Sequence, residues 1–464
     1  MENITQDNYD TALQRVRNLS ILVNLLSSNM QIVDKLSGQI IGGSITIDSN
    51  SDVRRSCSIE LVLEDASFDI EEGKIWLDKY IQIYTGIENI STGVVDWVNQ
   101  GIYLINNPTI YYSGSETKLS FQGLDLMSKL TGIRNGYLES MVTQIPQGSS
   151  IRDSMISVLT QYGGFTKYTI EENSITTPYD INVDIGGTVF DILKELRDIN
   201  PNYEIFFDVN GTFVYQEIPQ GYDDPIIVDN DTWDKVCLSS EKNKKFDEIK
   251  NVIDVYGRAI EPSYFQTKTT TVSSGAYVIA TNAGSIVEND IVGFVTPSIL
   301  ISPKVKIDGG TAVDLVNEDG TYATISESDA FYCIKKLASG KYLFLGGQQI
   351  HAIAKDENPD SPYYIGGSMG EIRIPLIGGD YDNIWSDDLA LQRAEYELYL
   401  RARMNDSITL TCVPLYYLDV NIKIEHQISE DYESNQYIIK SISLDLSPTG
   451  TQSIQAIRFY ESIA

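Results

Sequence analysis

The chain is poor in the residues that most enzymes use. Its 464 residues include two histidines, four cysteines and four tryptophans. His351 and His426 each lack a second histidine at ligand spacing, which excludes a histidine-rich zinc centre. Cys57, Cys237, Cys333 and Cys412 lie far apart and form no CxxC pair. They read as buried free thiols and not as a disulfide scaffold, which suits folding in a reducing cytosol. There is no GxSxG elbow, no HExxH and no P-loop. The run "DENPD" at 356–360 lacks the alternating oxygen ligands and terminal Glu of a calcium loop and reads as a solvated turn. Positive charge is scarce too, with 34 Lys+Arg against 65 Asp+Glu and a net charge of −31. That balance argues against a phosphate-neutralising surface and against docking on an anionic membrane. With so many acids, paired carboxylates say nothing about glycoside hydrolysis. No run approaches the ~20 apolar residues of a membrane-crossing helix, and the opening "MENITQDNYD" lacks the charged start and apolar core of a signal peptide. No catalytic, cofactor or metal residue emerges, and the chain reads as a non-enzyme.

What is present points to strands. Hydrophobic residues make up 42% and charged residues 21%, the balance of a folded chain. Tyr outnumbers Phe by 29 to 13, and tyrosine suits half-buried sheet surfaces and interfaces. After a short leading helix at 7–17, residues 19–28 read as a strand. "SITID" alternates, with Ile45 and Ile47 on one face and Ser44, Thr46 and Asp48 on the other. Cys57, Ile59, Leu61 and Leu63 share a face opposite Ser56, Ser58, Glu60 and Glu64. Further strands are predicted at 80–85, 101–105 and 118–123.

The texture changes near residue 124. Ile151, Met155, Leu159 and Tyr162 fall at helical spacing behind Ser150 and Asp153, which resemble a capping box. "TVFDILKELRDINP" predicts a second helix, capped by Thr188 and ended by Pro201. "YEIFFDVNGTFVYQE" predicts a hairpin with Asn210–Gly211 as a type I′ turn. A long Gly/Ser/Thr/Asp-rich stretch follows from 262 to 380. Then comes a helix from Ser386, with Asp387 and Asp388 at its start and Arg401 and Arg403 at its end. "SITLTC", "DVNIKIEH", "YIIKSISLDLS" and "SIQAIRFYE" close the chain as strands, with His426 expected to face solvent. The fold class is therefore α+β, mainly β. Two similar antiparallel β-barrel domains carry an inserted α+β module and a further β-rich insertion. The expected division is 1–125 (first barrel), 126–235 (α+β module), 236–261 (return strands joining the barrels), 262–380 (β-rich insertion) and 381–464 (helix plus second barrel).

Arg54 and Arg55 stand together where a strand begins. Parity puts Arg54 on the polar face and Arg55 on the apolar one, at its end. There a charge is tolerable only at a rim, near water or a carboxylate. The expectation is a barrel-rim ion pair or a contact with another subunit. Trp76, Trp97, Trp233 and Trp385 form no sugar platform and suit core or interface packing; Trp97 is a subunit-contact candidate.

Several stretches resemble a known family. "GSITIDSNSDVRRSCSIEL", "IWLDKYIQIYTGI", "VDWVNQGIYLI" and "LSFQGLDLMSKLTG" resemble the N-terminal part of tail proteins from phages of Gram-positive bacteria. "RAEYELYLRAR", "ITLTCVPLYYLDVNIKIEH" and "YIIKSISLDLSPTG" resemble the end of the same baseplate-hub and late-control proteins. The likeness covers roughly 15–260 and 385–464. It implies a homotrimer whose six barrels match a hexameric tail tube above and a threefold tip below. It implies as partners a tail tube or distal tail protein and a tip, spike or tape-measure protein. DNA would cross an electronegative lumen without specific binding. The resemblance also implies a place in the virion after synthesis in the host cytoplasm, no cofactor and no membrane insertion. The alternatives are a tail-associated peptidoglycan-degrading enzyme, or a host-surface binding module acting through 262–380.

Overall fold

The computed structural model describes the chain apart from residues 1–5, 15–16, 36–37, 64–69, 71–74, 115, 140–142, 178–179, 201–202, 260–264, 282, 284, 329, 347–348, 380, 382–383, 385–386, 404, 448 and 461–464. Pro201, Trp385 and the expected cap Ser386 lie outside the described residues. The architecture is α+β and mainly β. It divides into one unit made of Met1–Asn243 with Asp406–Ala464, and a second made of Lys244–Asn405.

The first unit is built on one twelve-stranded sheet. Its path runs Cys237–Lys245, Asn405–Cys412, Gln452–Arg458, Asn435–Asp445, Gly38–Asp48, Arg55–Leu63, Thr117–Leu124, Val94–Tyr112, Tyr80–Asn89, Leu19–Leu26 and Ile32–Lys35, with Lys423–His426 paired off Asn435–Asp445. The two runs of strands expected as barrels lie side by side in this sheet. Gly38–Asp48 lies antiparallel to Asn435–Asp445, from Ser44 opposite Asp445 to Asp48 opposite Ser441. One core joins Ile45, Ile59 and Phe121 to Ile408, Leu410 and Ile442. Alternation shows which face of a strand is buried but not which strand lies beside it, so the sequence does not foretell this pairing.

The α+β module packs a second core on this unit, with Leu193, Leu196, Phe207 and Tyr215 beside Ile102 and Leu104 of the large sheet. Both predicted N-caps are present. Ser150 accepts from Asp153 N at 3.3 Å. Thr188 and Asp191 form a reciprocal box at 3.2 and 2.7 Å, satisfying two otherwise unpaired N–H groups. The Ile151–Ser157 helix runs on as a π turn, Val158–Tyr162, which carries Tyr162 off the apolar stripe and leaves it 51% exposed. The Tyr203–Phe207/Phe213–Glu217 hairpin differs from the type I′ expectation. Only Gly211 has a positive φ, at 71°. The Asp208 carboxylate accepts from Asn210 N at 2.9 Å and Thr212 N at 2.7 Å, which holds a longer loop ending in a left-handed glycine.

In the second unit, Val252–Ala259 sits between Gln349–Lys355 and Arg373–Ile377. The Asp387–Arg401 helix lays Ala390 and Ala394 on Ile253 and Val255 of that sheet. The return strand and the helix thus belong to this unit, whereas the expected division gave them to the joining strands and the second barrel. Seven strands between Phe265 and Phe344 close into a barrel around Tyr277, Phe294, Leu315 and Ile334. The one closed barrel among the described residues is therefore inside the insertion.

Candidate functional site

Arg55 opens its strand on the side of Cys57, Ile59 and Leu61, so its side chain enters the core. Arg54 immediately precedes it. Both are buried, at 5% and 1% exposure, inside a single chain. They are not open to water, because the α+β module and the segment before Lys423–His426 cover the strand end.

Arg54 donates to Glu204 of the hairpin, and its guanidinium lies 3.9 Å from the Phe206 ring centroid, a cation–π contact strengthened by burial. Glu204 also accepts from Gln216 Nε2 at 2.8 Å and from Asn421 Nδ2 at 2.5 Å. The Asn421 carbonyl oxygen in turn accepts from Lys440 Nζ at 2.9 Å. Arg55 donates from Nη1 to the Phe207 carbonyl at 2.8 Å and from Nη2 to Asp419. Its backbone N–H donates to Asp125 Oδ2 at 2.8 Å, while Asp125 Oδ1 accepts from Met127 N at 2.9 Å. Two adjacent arginines thus tie together three distant stretches: the start of a central strand, the hairpin of the module, and Asp419–Asn421.

The charges are mutually dependent. Burial on its own would lower the Arg55 pKa, but Asp419, then Tyr103 and Asp125, outweigh it and hold the guanidinium above its ordinary value. Burial would raise Asp419, but Arg55 and Arg54 keep it below the usual carboxylate range. Asp125 goes the other way, pushed up to about 6 chiefly by burial, against its two backbone hydrogen bonds and the arginines. Such a buried pair adds little net stability over an apolar one, yet losing one partner strands a charge. A cavity of about 120 Å³ with a mixed polar and apolar lining adjoins Arg55, bounded also by Ile47, Asn99, Asp208, Leu418 and Asp419. Arg55 and Asp419 at its wall are engaged with each other. The arrangement fixes the three segments to one another through buried ion pairs and hydrogen bonds.

The other sequence candidates lie elsewhere. Trp97 sits across the Tyr80–Asn89/Val94–Tyr112 pair from Gly86 and is 40% exposed. Ile90 and Val94, at the same end of that hairpin, are 50% and 60% exposed. His426 does not face solvent. It is buried with its ring edge-on to Trp233 at 6.2 Å, and neither ring nitrogen has a hydrogen-bond partner among the described residues. Its parity with Ile424 carried that signal. His351 stacks on Tyr256 at 4.4 Å, with Nε2 3.8 Å from Asp254, whose carboxylate is already held by Arg373 at 2.7 and 2.9 Å. Among the described residues no three His, Cys, Asp or Glu groups converge to hold a metal. Sequence reading missed Glu204, Asp419, Asn421 and Asp125. Glu204 had a signal, as a lone acid inside the apolar run "YEIFF".

Comparison with known proteins reaches the fold. A family model described as "Domain of unknown function (DUF5048)" matches residues 360–463. No curated protein matches the chain. Among solved structures, the prophage MuSo2 43 kDa tail protein from Shewanella oneidensis is 10% identical. It superposes with a TM-score of 0.53 over 95% of this chain and 98% of that one. The tail protein from Neisseria meningitidis MC58 is also 10% identical, with a TM-score of 0.51 over 95% and 97% of the two chains. The chain has the fold of phage tail proteins along nearly its whole length.

Proposed function

We propose that this chain, which has a phage tail-protein fold, is a structural component of a tail tip or baseplate: a non-enzymatic, homotrimeric hub. The observation that carries the reading is the two-way coverage with the Shewanella tail protein, 95% and 98%, which leaves neither chain with a large unmatched part. In this reading the trimer adapts a hexameric tube to a threefold tip and surrounds the passage for DNA. A tube or distal tail protein docks on one side and a tip, spike or tape-measure protein on the other, all within the virion. The net charge of −31 supports passage without retention, since DNA binding needs clustered cations. The buried arginine clamp serves the same end. A hub under load keeps its sheet, module and Asp419–Asn421 segment in one geometry.

A second reading is favoured by one feature of the insertion. Leu300–Ile301 pairs with Thr324–Ile325, and around this short ladder Ile299, Ile301 and Tyr322 are 56%, 80% and 58% exposed. Apolar side chains gathered in the open suit a protein contact. The closed barrel would then carry a docking face for a host surface or a neighbouring tail protein.

The test is the mass of the full chain by light scattering across a concentration series, with electron micrographs of the largest species. A trimer seen as a ring supports the hub. A chain that stays monomeric throughout and releases soluble fragments from purified peptidoglycan overturns it in favour of a lytic enzyme.

A further inference from the structure

Beside the arginine clamp, an amine, a carboxamide and an acid stand in line. Lys440 Nζ donates to Asn421 Oδ1 at 2.9 Å, and Asn421 Nδ2 donates to Glu204 Oε2 at 2.5 Å. These partners fix which way the amide points, since an ammonium only donates and a carboxylate only accepts. Asn421 and Glu204 are each 6% exposed, and Lys440 is half-buried. Arg54 and Gln216 hold the Glu204 carboxylate in place. With a C=O bond of ~1.23 Å, the Lys440 amine lies within about 4.1 Å of the Asn421 Cγ carbon.

The backbone is irregular at both ends of this contact. Asn421 has a φ of 57°, in the left-handed region. Lys440 is the extra residue of a bulge, because Ile439 and Ser441 lie opposite Ala456 and Gln455, which are consecutive on the facing strand. A bulge re-aims a side chain, and bulges are common next to reactive sites. The two segments are also laced together, with Asn421 N donating to Ile439 O at 2.7 Å and Ile439 N to Ile422 O at 3.1 Å.

We infer that Lys440 and Asn421 condense to an intramolecular isopeptide cross-link, with Glu204 as the proton carrier. The Lys440 ammonium first gives a proton to the Glu204 carboxylate. The freed lone pair adds to Asn421 Cγ, so a C–N bond forms while the carbonyl π pair moves onto Oδ1. Glu204, now a carboxylic acid, protonates Nδ2 and then takes the second proton from the added nitrogen. The pair on Oδ1 re-forms the carbonyl, the Cγ–Nδ2 bond breaks, and ammonia leaves with the proton left on Glu204. One amide replaces another, so no oxidant, reductant or co-reactant is consumed. The amine has only to slide from the amide oxygen to the face of its carbon, and groups held this close react as one molecule. The product closes the stretch from Asn421 to Lys440 into a covalent loop. Tension along the chain then passes across the cross-link without unfolding what lies between.

The test is the intact mass of the purified full-length chain in denaturant. A mass short by one ammonia is expected, with a branched tryptic peptide that joins the Asn421 and Lys440 segments in fragment spectra. Lys440→Arg keeps the charge but offers no amine that can lose its proton. It should show its full mass and only linear peptides. Glu204→Gln, checked for folding by circular dichroism, should also keep its full mass, and cross-linking to the wild-type extent would overturn the role given to Glu204. A full wild-type mass after prolonged warming of the folded chain overturns the inference. So does an ammonia loss that maps to other residues or persists in Lys440→Arg. The readout is independent of oligomeric state.

Discussion

Replacing Arg55 by alanine strands a carboxylate. Asp419 loses its nearest cation and the Phe207 carbonyl loses a donor, both in a place water reaches poorly. Removing one partner of a buried pair costs ~3–5 kcal/mol. That is a large share of the ~5–15 kcal/mol that holds a typical domain folded. With a urea slope of ~2 kcal/mol/M, the midpoint should fall by roughly 1.5–2.5 M. Trp233, fully buried in the same unit, gives a fluorescence readout for it. The pH dependence sharpens the test. In the wild type the folded-state pKa of Asp419 is depressed, so its contribution is present above the unfolded value near 3.9 and is lost as pH falls through the folded one. In Arg55→Ala the same carboxyl is buried without its main partner and its pKa rises. The difference between variant and wild type should then be largest at pH 7 and shrink towards pH 4.5. Arg55→Met with Asp419→Leu, which removes both charges and keeps volume, should recover most of the loss. A loss below ~1 kcal/mol at pH 7, or one that does not change with pH, would refute the clamp.

Three further outcomes follow from the same structure. Gly211→Ala should cost ~1–2 kcal/mol in urea melts, because φ is 71° and the new Cβ would sit 3.1 Å from Leu126 Cδ1, and Gly211→Asn should cost less. His426 is held below its usual pKa by burial, so stability falls as pH drops below ~6.5 and the unfolded chain gains a proton first. His426→Phe should flatten that slope in thermal melts between pH 7 and 5, and an unchanged slope would rule the histidine out. Trp97→Ala should leave monomer stability within ~0.5 kcal/mol yet weaken self-association about tenfold or more on dilution in light scattering, and equal association would remove Trp97 from the interface.

The local grammar of the chain was readable and its long-range pairing was not. Cys57, Ile59 and Leu61 announced a half-buried strand because period-2 alternation is a local property. Ser150 and Thr188 announced helix starts because a cap is made within four residues. The partnership of Gly38–Asp48 with Asn435–Asp445 leaves no such trace, since any alternating strand fits any other until register and core volume choose. The same gap hid the clamp. Parity put Arg55 on the inward side, but its acid comes from Asp419, which nothing near Arg55 foretells. Asn210–Gly211 misled because the neighbouring Asp208 caps the loop and selects a different turn. The resemblance to tail proteins reached the fold where alternation could not, because it drew on both ends of the chain together.

The seam at Ser44–Asp48 also sets a schedule on the ribosome. About 390 residues separate Asp48 from Ser441, the residue it lies beside. At the usual elongation rates of ~5–20 residues per second, that edge waits roughly 20–80 seconds for its neighbour to be translated. During the wait it is an open strand on a polysome, surrounded by identical nascent chains with the same open strand. A neighbour's Asn435–Asp445 segment fits it as well as its own does. Expression at high temperature or high copy number should therefore favour interlocked, strand-exchanged copies. Slowing initiation, which spaces the ribosomes, should recover separate ones.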